Sequence, residues 1–117
     1  MSTKVQRMIH DYVAAWNQTN QNDLKIAFSK VWSESATCTD PSFEVTGVDA
    51  LVNVAIGSLE KFPGRKFEVL TEPEIHHSVG RYNWRVTFAD GTYRDGIDCF
   101  EFDKNFFITR IITFLLV

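Results

Sequence analysis

The sequence predicts an α+β domain in which three N-terminal helices cover one face of an antiparallel sheet. Three observations carry this: apolar residues recur at three-four spacing up to Phe62, they alternate with polar residues over most of the chain from Phe67 onward, and Pro63-Gly64 separates the two regimes. At 117 residues, 44% hydrophobic and 14% aromatic, the chain suits one domain, 1–117, with a sizeable core.

The first helix is expected from Thr3 to about Trp16, with Val5, Met8, Ile9, Tyr12, Val13 and Trp16 on one face. The polar run Asn17 to Asn22 stops it, and Asn22 or Asp23 can cap a short second helix carrying Leu24, Ala27, Phe28 and Val31. Ser35 to Asp40 reads as a short strand, because Pro41 forces an extended backbone on the residue before it. Gly47-Val48-Asp49 opens a third helix with Leu51, Val54, Ala55, Ser58, Leu59 and Phe62 on its stripe. Phe67, Val69 and Ile75 mark a long strand that turns at Gly80. Tyr82, Trp84, Val86 and Phe88 alternate on the next, and Asp90-Gly91 signals a hairpin into a strand from Thr92 to Phe102. Asp103 to Asn105 then turns into a last strand from Phe106 to Leu116. Strands of this length are expected to twist and curl.

Composition narrows the function. A formal charge of -3 offers no positive field for nucleic acid or an anionic membrane. No apolar run is long enough to span a bilayer, and the N-terminus lacks a signal-peptide stretch, so a soluble, cytoplasmic protein is expected. Cys38 and Cys99 lack the spacing of a disulfide framework or thiolate metal site and read as small apolar fillers. No phosphate-cradling glycine loop, nucleophile elbow or metal-ligand cluster is present, which disfavours phosphoryl transfer and serine hydrolysis; no metal or cofactor is expected.

One residue stands out. Period-two geometry puts Asp98 on the same strand face as Phe100 and Phe102, so it is either a carboxyl held among aromatics or an acid at an open rim beside Arg94 and Gly96. A carboxylate stripped of water must find partners or stay protonated. Tyr12 falls within the apolar stripe of its helix, and Asp40 ends a short strand just before a proline, the ordinary place for a turn-forming or helix-capping aspartate. Together they supply a carboxylate to take a proton and two donors to stabilise an enolate oxygen. Of the neighbours His76 and His77, one must face inward; His10 reads as surface, and Arg81, Asn83 and Arg85 share the outer sheet face as a solvated, dimer-facing or anion-binding surface.

The blocks Tyr12-Val-Ala-Ala-Trp-Asn17, Ala36-Thr-Cys-Thr-Asp40-Pro41, Gly47-Val-Asp-Ala-Leu51 and Ile97-Asp98-Cys-Phe100-Glu-Phe102 resemble, in order, those of ketosteroid isomerases and SnoaL-like polyketide cyclases of the nuclear transport factor 2-like superfamily. Gly96 stands where that isomerase subgroup usually has proline. The resemblance implies a cystatin-like cone: a curled antiparallel sheet wrapped by three helices around a deep pocket, commonly dimerised through the outer sheet face. It implies Tyr12 as the oxyanion tyrosine, Asp40 as general base and Asp98 as a protonated oxyanion acid, or, as in the cyclases, as acid or base of an aldol closure. Trp16, Phe62, Trp84, Phe100 and His76 are the candidate walls around an apolar small-molecule substrate. The expected activity is cofactor-independent acid–base chemistry on an enolisable carbonyl compound. The alternative is a ligand-binding or dimeric interaction module of the same fold, and bulky Trp16, Trp32 and Trp84 could also plug the cone.

Overall fold

Helix α1 (Lys4–Ala15) starts where Thr3 and Gln6 form a reciprocal capping box. It buries Val5, Met8, Ile9, Tyr12 and Val13, the stripe its spacing predicts. The computed structural model describes residues 3–116. Helix α2 (Gln21–Ser29) is capped by Asn20, whose side chain accepts from the Asp23 amide, two to three residues earlier than expected. Helix α3 (Val48–Lys61) follows Gly47, which holds a φ of 88° that other residues resist.

The sheet has seven strands: β1 (Trp32–Asp40), β2 (Phe43–Thr46), β3 (Lys66–Val69), β4 (Glu74–His76), β5 (Val79–Thr87), β6 (Tyr93–Phe102) and β7 (Ile108–Leu115). They run in the order β2-β1-β7-β6-β5-β3, with β4 also on β5, as a curved, unclosed sheet. The helices lie over its concave face, and the architecture is α+β as expected.

Four details differ from the sequence reading. First, β1 begins at Trp32, three residues early, because it pairs with Ile108 of β7 in parallel; the sheet is thus not a pure antiparallel meander. Second, Pro41-Ser42 turns the chain back into β2, a strand that the residue pattern does not predict. Third, the expected Phe67–Ile75 strand is two: Leu70 and Thr71 bond to Asn83, and Pro73, with no N–H to donate, precedes β4. Fourth, the turn lies at His77-Ser78, where His77 takes a φ of 52°, and Gly80 sits inside β5 opposite Phe100. A Cβ at Gly80 would lie 2.4 Å from Phe100 Cζ. Of the two cysteines read as fillers, Cys38 is buried, but Cys99 is exposed on the outer face.

Candidate active site

Strand β6 carries the site because its inward phase holds Gly96, Asp98 and Phe100, all buried, at the middle of the sheet. The open-rim reading of Asp98 does not hold: the side chain is 5% exposed. Its direct cross-strand partners are Tyr82 on β5 and Thr113 on β7. Tyr82 donates its hydroxyl proton to Oδ2 at 2.5 Å, and Thr113 donates to Oδ1 at 2.7 Å. Trp84 faces Gly96, where a Cβ would lie 2.2 Å from its Cζ2, so the missing side chain lets the indole lie across the strand and donate Nε1–H to Oδ1 at 2.9 Å. Burial pushes the Asp98 carboxyl up to about 6; the three donors act against that rise and the charge of Asp40 adds to it.

Tyr12 reaches the same cavity from α1. Its ring stacks on Trp32 with centroids 5.6 Å apart, and its phenol lies beside the Cys38 thiol. Burial pushes that phenol well above its usual range, with Cys38 and Asp98 adding to the effect, so it stays a hydrogen-bond donor. Cys38 is pushed up to about 12 by burial and remains a thiol. Asp40 stands half-buried at the end of β1, its Oδ1 accepting the Ser42 amide at 2.9 Å. Burial raises its carboxyl, and the Ser42 contact works the other way.

The cavity these three share measures about 200 Å³, smaller than the ~300 Å³ of a drug-sized site. Trp16, Phe62 and Trp84 line it, together with Phe67, Phe88 and Arg65. Trp32 fills the space behind Tyr12 and does not close the cavity; its Nε1 finds no partner among the described residues. Two expected wall residues lie elsewhere. Phe100 is packed between Tyr82 and Phe102 under Gly80, and His76 is exposed at the edge of the sheet, its ring against His77 rather than near Trp84. Neither histidine faces inward, because β4 is only a three-residue edge strand. His10 is exposed and pairs with Glu72. On the outer face Arg81 pairs with Glu74, and Arg85 grips Asp95 through two bonds of 2.7 and 3.0 Å, so both arginines are already answered by acids. Among the described residues no three His, Cys, Asp or Glu side chains are placed to hold a metal ion.

No known family model and no curated protein matches the sequence. Solved structures match its shape. A SnoaL-like family protein from Agrobacterium tumefaciens str. C58, described as a candidate isomerase, aligns with a TM-score of 0.91 at 24% identity, over 99% of this chain and 100% of that one. A protein of unknown function with a cystatin-like fold from Methylobium petroleophilum PM1 gives 0.80 at 14% identity, over 97% and 76%. A candidate polyketide cyclase from Sinorhizobium meliloti gives 0.74 at 14%, over 92% and 94%. The chain therefore has the cystatin-like, nuclear transport factor 2-like fold that its sequence blocks imply.

Tyr82, Thr113 and Arg65 are not singled out by the sequence. The inward phase of β5 carries Tyr82, but which residue stands opposite Asp98 depends on the hairpin register. Nothing local marks Arg65, whose side chain folds back onto α1, 49 positions away in the chain.

Proposed function

We propose that this cavity is the active site of a cofactor-independent acid–base enzyme, isomerase- or cyclase-like, acting on a small enolisable carbonyl compound. One observation carries the reading: a carboxyl buried in an aromatic cavity is held by three donors and poised near neutrality. At neutral pH it is mostly ionised, which supports Asp98 as the group that takes a proton from the carbon beside the carbonyl. The Tyr12 hydroxyl donates to the oxygen on which the enolate charge develops. The proton can then return from Asp98 to a different carbon, an isomerisation, or the enolate carbon can attack a second carbonyl in the same molecule, whose oxygen takes up the proton from Asp98 as the C–C bond forms, a cyclisation. Asp40, at the same cavity, is the second carboxyl for proton transfer. Donor groups aimed at Asp98 favour this cyclase-like division of labour over one with Asp40 as base and Asp98 as neutral donor.

The test is solvent deuterium incorporation at the α-carbon of small ketones and diketones, followed by proton NMR, in wild type and Asp98→Asn. Exchange whose kcat/KM rises through about pH 6 and which fails in Asp98→Asn supports the assignment. A rate that falls through the same pH makes Asp98 the neutral donor, and exchange unaffected by Asp98→Asn rejects its role altogether. The second reading, a ligand-binding module, is favoured by the self-contained bonding of Asp98; binding without any exchange would select it. On the outer face, Ile97 and Ile112 flank an exposed Phe114, which supports pairing of two copies there; light scattering decides.

A further inference from the structure

Arg65, on the loop between α3 and β3, is 4% exposed and lines the cavity. Its Nε donates to Ser58 Oγ at 2.6 Å, Nη1 to the Trp16 carbonyl at 2.7 Å and Nη2 to the Ala55 carbonyl at 3.2 Å. Its planar group lies 4.9 Å from the Phe67 ring and 5.9 Å from that of Trp16. Every one of these partners is neutral, and among the described residues no carboxylate forms an ion pair with it. Burial lowers the guanidinium to about 10, which leaves it charged at neutral pH.

A buried charge without a counter-charge is costly, because neutral acceptors replace only part of its hydration. The Trp16 carbonyl, at the negative end of α1, offsets some of this. A guanidinium carries five N–H groups. The three bonds above leave one on each terminal nitrogen, free to donate to an anion in the cavity, and a guanidinium suits a carboxylate better than any other side-chain donor does. The outer-face arginines have acids as partners; the arginine at the cavity has none.

We infer that the cavity binds a small organic anion, an apolar compound whose carboxylate pairs with Arg65. The inference rests on the cavity being the ligand site proposed above, and not on the chemistry performed there. Combined with proton abstraction by Asp98, it makes an oxo acid of single-ring or short-chain size the substrate class, in keeping with about 200 Å³ of space and walls of Phe62, Phe67, Trp84 and Phe88.

Phenylacetate and its neutral isostere phenylacetamide test this by titration into labelled protein, followed by amide and arginine Nε–H resonances in nitrogen–proton NMR. Phenylacetate is expected to bind about tenfold or more tightly than the amide and to shift the Arg65 Nε–H signal, and Arg65→Gln should bring the two affinities close together. Equal binding of acid and amide, binding of neither, or a preference that persists in folded Arg65→Gln overturns the inference. Should that variant not fold, the wild-type preference and the Arg65 resonance decide, since an unmoved Arg65 signal also overturns it. Carboxylate preference without α-carbon exchange retires the catalytic reading alone; exchange without that preference retires this one alone.

Discussion

Asp98 is held by one donor from each neighbouring strand and a third reaching across a glycine, so each contact can be removed singly. Thr113→Val keeps the shape and deletes one O–H bond to Oδ1. Losing a bond to the charged form disfavours that form, so the midpoint of the pH–rate profile should move up, by about one unit if the bond is typical of charge-assisted ones. A midpoint that stays put would mean Asp98 is not the titrating group. Tyr12→Phe leaves the ring stacked on Trp32 and removes only the hydroxyl. A lost oxyanion donor lowers kcat by roughly a hundredfold or more, so steady-state kinetics on Tyr12→Phe should show that loss with little change in melting temperature.

At the scale of elements, the β5–β6 hairpin decides what meets Asp98. The Asp90-Gly91 signal was legible, but a two-residue loop would have placed Asn83 opposite Asp98. The chain instead closes between Phe88 and Thr92 around Ala89-Asp90-Gly91, with Gly91 at a φ of 88°, and that one-residue difference brings Tyr82 opposite Asp98. Period-two alternation thus put Asp98 on the face of Phe100 and Phe102, but it did not choose between an enclosed carboxyl and an open rim, nor name the partners. Helices were legible from the burial stripes of α1 and α3, whereas β2 and the parallel β1–β7 pairing depend on contacts more than local pattern. Arg65 was out of reach, because its partners lie on α1 and α3. Gly96, a departure from the resembling isomerases, gains a reason in the indole of Trp84. Gly96→Ala would put a Cβ 2.2 Å from Trp84 Cζ2 and 2.9 Å from the Phe114 carbonyl. Overpacking of this kind destabilises by about 1–3 kcal/mol, and the Trp84 Nε1–H resonance should move as its bond to Asp98 is displaced. Denaturant midpoints and that resonance check both halves.

Across the whole molecule, the same burial that tunes the site should appear in the pH dependence of folding. In the unfolded chain Asp98 titrates near 3.9, and in the folded protein near 6. Between those values the folded state keeps a proton that the unfolded state has released, so stability falls as pH rises through this window. The contribution is fully present below about pH 4 and lost above about pH 6, the reverse of a salt-bridged aspartate. Asp40, raised by burial, acts in the same direction, while Asp90 and Asp95, held down by Thr92 and Arg85, act the other way. The difference between wild type and Asp98→Asn isolates the buried carboxyl, since the amide does not titrate and the other acids cancel. Going from about pH 7.5 to pH 4.5, wild type should gain roughly 2 kcal/mol over the variant in urea unfolding. Parallel curves would show that the donors of Tyr82, Thr113 and Trp84 cancel the effect of burial, and Asp98 would then titrate too low to exchange protons near neutrality.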